Sequence, residues 1–65
     1  MTPQEADRAI KAGKAIVVRS KGFNETFTFT PLSRNRWTIY GSYESNGHVY
    51  SNGAFERADL DIVQE

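Results

Sequence analysis

The sequence predicts an α+β domain: an N-terminal helix, then a five-stranded antiparallel sheet that bends strongly or closes into a small barrel. Three observations predict it. A full set of helix-start and helix-stop residues occupies positions 1–13. After them the apolar period changes from helical to strictly alternating. The alternating stretches are separated by Gly, Asn, Ser and Pro, the residues that end strands and make turns.

The helix is expected over about residues 3–12. Thr2-Pro3-Gln4-Glu5 reads as a capping box, in which Thr2 accepts from the third helical amide and Glu5 reaches back to the Thr2 amide. Pro3 takes the first helical position, where its missing N–H costs nothing. Gly13 stands where a left-handed residue ends a helix. Ala6, Ala9 and Ile10 make a thin apolar stripe, so this helix must pack on something to persist.

Strands are expected at about 15–20, 25–30, 36–43, 48–51 and 59–63. Ile16-Val17-Val18 is β-branched and ends at the turn residues Ser20-Lys21-Gly22. In Glu25–Thr30 the phenylalanines 27 and 29 share one face and the threonines the other, and Pro31 is expected to close the strand. In the third strand Trp37, Ile39 and Tyr43 read as inward, with Arg36, Thr38, Tyr40 and Ser42 outward. Asp59–Val63 alternates again, with Leu60 and Ile62 inward.

The segment YESNGHVYSNG contains Ser-Asn-Gly twice, at 45–47 and 51–53, and both copies read as turns. A two-residue Asn46-Gly47 turn pairs Tyr43 with Tyr50 and puts Val49 opposite Glu44 on the polar face. A three-residue loop pairs Tyr43 with Val49 and His48 with Glu44, keeping Val49 inside and leaving His48 and Tyr50 outside. A one-residue slip moves every side chain to the other face, so the core argues for the three-residue loop. The second copy is expected to turn the chain into a single helical turn near residues 54–58.

Sixty-five residues form one domain, and the chain contains no cysteine to supply a disulfide or a thiolate metal site. A chain this short buries only roughly 60% of its unfolded surface, so its stability is limited. No apolar run approaches the ~18 residues of a membrane span, and the N-terminus lacks the basic and apolar order of a signal peptide. A cytoplasmic protein is the expectation.

Net charge is zero, but residues 8–36 carry +6 and residues 37–65 carry −4. Such polarity either creates opposed basic and acidic faces or pairs off between neighbouring strands. Neutrality removes the drive that phosphate-binding proteins rely on.

No catalytic set, metal set or cofactor motif stands out. His48 is the only histidine, its nearest candidate partners in sequence are Glu44 and Glu56, and no set of nucleophile and orienting partner accompanies it. Asp59-x-Asp61 has the alternation of a charged strand edge. Tyr40, Tyr50 and His48 form the expected outward patch, and Arg34 with Arg36 flanks a strand connection where guanidiniums grip carboxylates or phosphates. Exposed tyrosine and arginine serve protein–protein hot spots and, alternatively, stack nucleobases. The nucleic-acid alternative would use Arg19, Lys21, Arg34 and Arg36.

The strand count, and a single turn before the last strand, resemble SH3-like barrels in architecture; no SH3 ligand motif accompanies them. In size and style, as a cysteine-free, independently capped domain without a catalytic set, the chain also resembles small phage and mobile-element accessory proteins, including anti-CRISPR inhibitors. That resemblance implies a non-enzymatic, stoichiometric inhibitor that occupies a surface of a larger host complex. A homodimer through a strand edge or the outer tyrosines is a further expectation for so small a domain.

Overall fold

The computed structural model of the chain describes residues 1–65. Helix α1 (Pro3–Ala12) precedes strands β1 (Ile16–Ser20), β2 (Glu25–Arg34), β3 (Thr38–Ser45) and β4 (His48–Glu56). A 3-10 turn at Arg57–Asp59 then leads into β5 (Leu60–Gln64). Every pairing is antiparallel, in the order β4-β3-β2-β1-β5. Strands β4 and β5 are the two edges and do not pair, so the sheet is open rather than a closed barrel.

The helix forms as its residues dictate. Thr2 accepts from the Glu5 amide at 3.1 Å, and the Glu5 carboxylate accepts from the Thr2 amide at 2.8 Å. The cap amide holds the Glu5 carboxyl below its usual pKa. Gly13 ends the helix at φ 65°, a left-handed conformation that glycine, lacking a Cβ, adopts most readily. Ala6 and Ala9 are fully covered where the helix lies over β2, and their small size lets the two backbones approach.

The core lies between helix and sheet: Met1, Ala6, Ala9, Ile16, Val18, Phe29, Ile39 and Leu60, with Phe27, Tyr43, Phe55 and Ile62 packed against it. Phe29, Phe27, Phe55 and Tyr43 meet mostly edge to face, with centroids 5.1–6.4 Å apart. Each such pair adds about 0.5–1.5 kcal/mol beyond its buried area.

Five sequence expectations change. Pro31 does not end β2; the strand continues through a bulge at Leu32 to Arg34. It tolerates proline because β1 begins at Ile16, opposite Phe29, and no strand lies beside Pro31 on that side to need its N–H. Trp37 is not inward. Strand β3 starts at Thr38, two residues after the expected start at 36, and Trp37 is 64% exposed in the connection.

The β3–β4 turn has two residues, not three: Asn46 at φ 54° and Gly47 at φ 80°. Two positive φ values in a two-residue loop match the right-handed twist of the flanking strands. Tyr43 therefore pairs with Tyr50, Glu44 with Val49 and Ser45 with His48, and the expected Tyr43–Val49 and His48–Glu44 pairs do not form. Val49 is left 73% exposed. The register is held instead by Tyr43 and Tyr50, whose rings stack 4.7 Å apart at 15°.

Ser51-Asn52-Gly53 is not a turn either. It lies within β4, where the register shifts between the Tyr43–Tyr50 and Gly41–Gly53 pairs, so that Ser51 and Asn52 together face Ser42. This is a β-bulge. The single helical turn consequently falls at Arg57–Asp59 rather than near 54–58.

Candidate functional site

The five residues singled out in the sequence do not form one surface. Arg34 is committed to the fold. Its Nε donates to Asp7 Oδ1 at 2.6 Å and its Nη2 to Asp7 Oδ2 at 3.0 Å, a two-pronged clamp between the helix and the end of β2. A third donor, Nη1, reaches the Asn35 carbonyl at 3.2 Å.

The Arg34 hydrogen bond holds the Asp7 carboxyl below its usual pKa, and Asp7 raises that of Arg34. A carboxyl depressed in the folded state contributes stability above its unfolded pKa and loses that contribution as pH falls through its folded pKa. The thermal midpoint is therefore expected to fall on acidification below about pH 4, the unfolded carboxyl range. Asp7→Asn should start lower at neutral pH and fall less, keeping only the part due to Glu5. Equal slopes for wild type and variant in a pH series of melting curves would show that the clamp does nothing for stability.

Beyond Arg34 the chain makes a tightly pinned connection. Asn35 Oδ1 accepts from the amides of Trp37, at 2.9 Å, and Thr38, at 2.7 Å. The Asn35 amide donates to Thr38 O at 2.9 Å, and its side-chain Nδ2 donates to the Tyr40 hydroxyl at 3.1 Å. The Trp37 carbonyl accepts from the Arg57 amide at 2.8 Å. The backbone is thus fixed from both sides while the Trp37 indole stays in solvent. Arg36 lays its guanidinium over that indole, 4.9 Å from the ring centroid, in a cation–π contact.

Tyr40 lies on the outer sheet face, tied to this connection through Asn35. His48 and Tyr50 lie at the far end of the sheet on the opposite, inner face. Tyr50 continues the aromatic core and His48 is its neighbour at 6.4 Å. The outward patch of Tyr40, His48 and Tyr50 expected from the three-residue loop therefore does not assemble.

Part of the basic half of the chain is paired with the acidic half, while Lys11, Lys14, Arg19 and Arg36 make no ion pair. Lys21 Nζ lies 3.7 Å from Asp61, Arg8 3.4 Å from Glu65, and Arg19 faces Asp61 directly across the β1–β5 pair. Asp59, the other member of the Asp-x-Asp pattern, accepts from the Ser20 hydroxyl at 3.0 Å. Of Arg19, Lys21, Arg34 and Arg36, the cations of the nucleic-acid alternative, only Arg36 has no acidic neighbour.

What the geometry brings together is Arg36, Trp37 and, through Asn35, Tyr40. Sequence reading missed Trp37 because counting back from Ile39 put it inward. The signal that finds it is Asn35, a residue whose side chain captures amides two and three positions on and so delays the strand. Compared with protein-family models, curated proteins and solved structures, the chain matches none.

Proposed function

We propose that this chain is a small non-enzymatic binding protein whose product is a protein–protein contact. Its size and style fit a phage-type stoichiometric inhibitor, anti-CRISPR-like, that covers a surface of a larger host complex. The supporting observation is the pinned Arg36–Trp37 pair. Tryptophan and arginine lead the residues that carry binding energy in protein interfaces. An indole held on a fixed backbone also loses little freedom when a partner covers it. The net charge of zero weighs against nucleic acid, since neutrality removes the electrostatic drive that phosphate binding relies on.

Affinity capture from a bacterial lysate should enrich a defined protein complex. Titration of that complex should show Trp37→Ala binding ~30-fold more weakly, about 2 kcal/mol, the scale of an interface hot spot. The fold should survive, because the connection is held by Asn35 and backbone groups rather than by the indole, and far-UV circular dichroism checks this. Capture that enriches no complex, or a Trp37→Ala affinity equal to wild type, defeats the proposal. A low-salt mobility shift with DNA or RNA that disappears as salt rises would put the nucleic-acid reading in its place.

A further inference from the structure

The two edges of the sheet are not alike. Strand β5 has five residues, includes Asp61 and follows the 3-10 turn. Short, charged strands of this kind discourage pairing with other chains. Strand β4 has nine residues, no lysine, no proline and one acid, Glu56, at its end. The bulge at Ser51 and Asn52 is its one edge-guarding feature, and no charge stands along it before Glu56.

The pairing of β4 with β3 fixes which main-chain groups stay free. Ser45 and His48 bracket a two-residue turn and so form a hydrogen-bonded pair. Counting on through the bulge, the N–H and C=O groups of Val49 and Ala54 point away from β3. The bulge also divides the strand by face: His48 and Tyr50 are inner before it, Gly53 and Phe55 inner after it, with Val49 and Ala54 outer.

An identical strand laid antiparallel must match inner with inner and outer with outer. Along the length of β4 this happens when a two-fold axis passes between Ser51 and Asn52. In that register Val49 meets Ala54 of the second copy, Tyr50 meets Gly53, and His48 meets Phe55. The free N–H and C=O groups of Val49 and Ala54 then face each other.

The outer surface fits the same arrangement. Ser33, Tyr40 and Ala54 form one cross-strand row. With Leu32 and the bulge residues Ser51 and Asn52, this row lines a shallow depression of 320 Å³ that reaches the β4 edge. The next residue along that row, across the axis, is Val49 of the second copy, with its Cβ about 5 Å from Ala54. A valine that is 73% exposed on its own chain thereby adjoins a depression with apolar Leu32, Tyr40 and Ala54 in its wall. Symmetry repeats the contact, as in other two-fold interfaces.

We propose that two copies of this chain pair through their β4 edges about that axis, joining the two sheets into one and seating each Val49 beside the other copy's Leu32–Tyr40–Ala54 depression. This goes beyond the binding function and gives each assembly two Arg36–Trp37 contacts.

Sedimentation equilibrium at high micromolar concentration should give twice the 7.3 kDa chain mass. Val49→Lys, which adds the kind of charge that guards natural edges, should return the mass to that of one chain while circular dichroism stays unchanged. Because the chain has no cysteine, Val49→Cys with Ala54→Cys gives a register test. Within one chain those positions are roughly 16 Å apart along the strand, too far to bridge, so mild oxidation should yield a covalent dimer. A wild-type protein that sediments as a monomer overturns the proposal, including one that instead accepts an extended peptide at β4. So does a dimer that survives Val49→Lys or leaves the paired cysteines unlinked.

Discussion

Gly41→Ala is expected to destabilise the protein by about 3 kcal/mol, the upper range for forcing a group into a packed interior. The change adds one methyl and removes no contact. Gly41 sits on β3 between Pro31 of β2 and Gly53 of β4. A Cβ built there lies 2.2 Å from the Thr30 carbonyl oxygen and 2.8 Å from the Pro31 Cα. Both are backbone atoms, so relief requires the β2–β3 pairing itself to open.

Gly53 makes the comparison. Its added Cβ meets the Tyr43 ring at 2.6 Å, but a ring at the margin of the core can move. Gly53→Ala should therefore cost less than Gly41→Ala. Urea unfolding of the two variants tests the order. A Gly41→Ala midpoint close to wild type would mean that β2 and β3 do not approach as described.

The other large effect is expected at the centre of the core. Phe29 is 0% exposed, pairs with Ile16 and Tyr43 and meets the Phe55 ring edge-on at 5.3 Å. Phe29→Ala should cost about 4 kcal/mol, combining lost transfer energy with the cavity left behind. A domain of this size has only roughly 3–10 kcal/mol in total, so a large fraction of the variant should be unfolded at 37 °C. Phe27→Ala, at a half-buried ring two residues away, should cost less. Thermal melts that rank Phe27 above Phe29 would place the core nearer the open end of the sheet than under the helix.

The helix was legible almost residue by residue, because its signals are local: Thr2 to Glu5 is three positions, and Gly13 acts on its own turn. The strands were legible as an alternating pattern, and the inward placement of Phe27, Phe29, Ile39, Tyr43, Leu60 and Ile62 follows from it. Where the reading failed, a residue type served two structures. Asn-Gly suits a turn and equally a bulge next to a ring, and only the packing of Tyr43 and Phe55 against Gly53 separates them.

The preference for keeping Val49 inside failed for a physical reason. One valine competed with a favoured turn geometry and a stacked tyrosine pair, and lost. The expected contact residues depended on that register, so Tyr50 and His48 moved to the inner face with it. Arg34 was unreadable as a structural residue because its partner, Asp7, lies in the helix far away in sequence. Trp37 was misplaced because Asn35 delays the strand from its expected start at 36 to Thr38 and leaves the indole in the connection.

The bulge at Ser51 and Asn52 has a consequence for how this chain tolerates change. Both side chains are exposed and can be exchanged for other polar residues with little effect on the core. Their number can also fall by one, because two residues stand opposite Ser42 alone. Deleting either one leaves a single residue between Tyr50 and Gly53, matching Ser42 between Tyr43 and Gly41, so Tyr50 and Phe55 keep their face and only the local kink is lost. The segment is permissive in both spelling and length, and in that it behaves as a surface loop set inside a strand, since loops absorb deletions most readily.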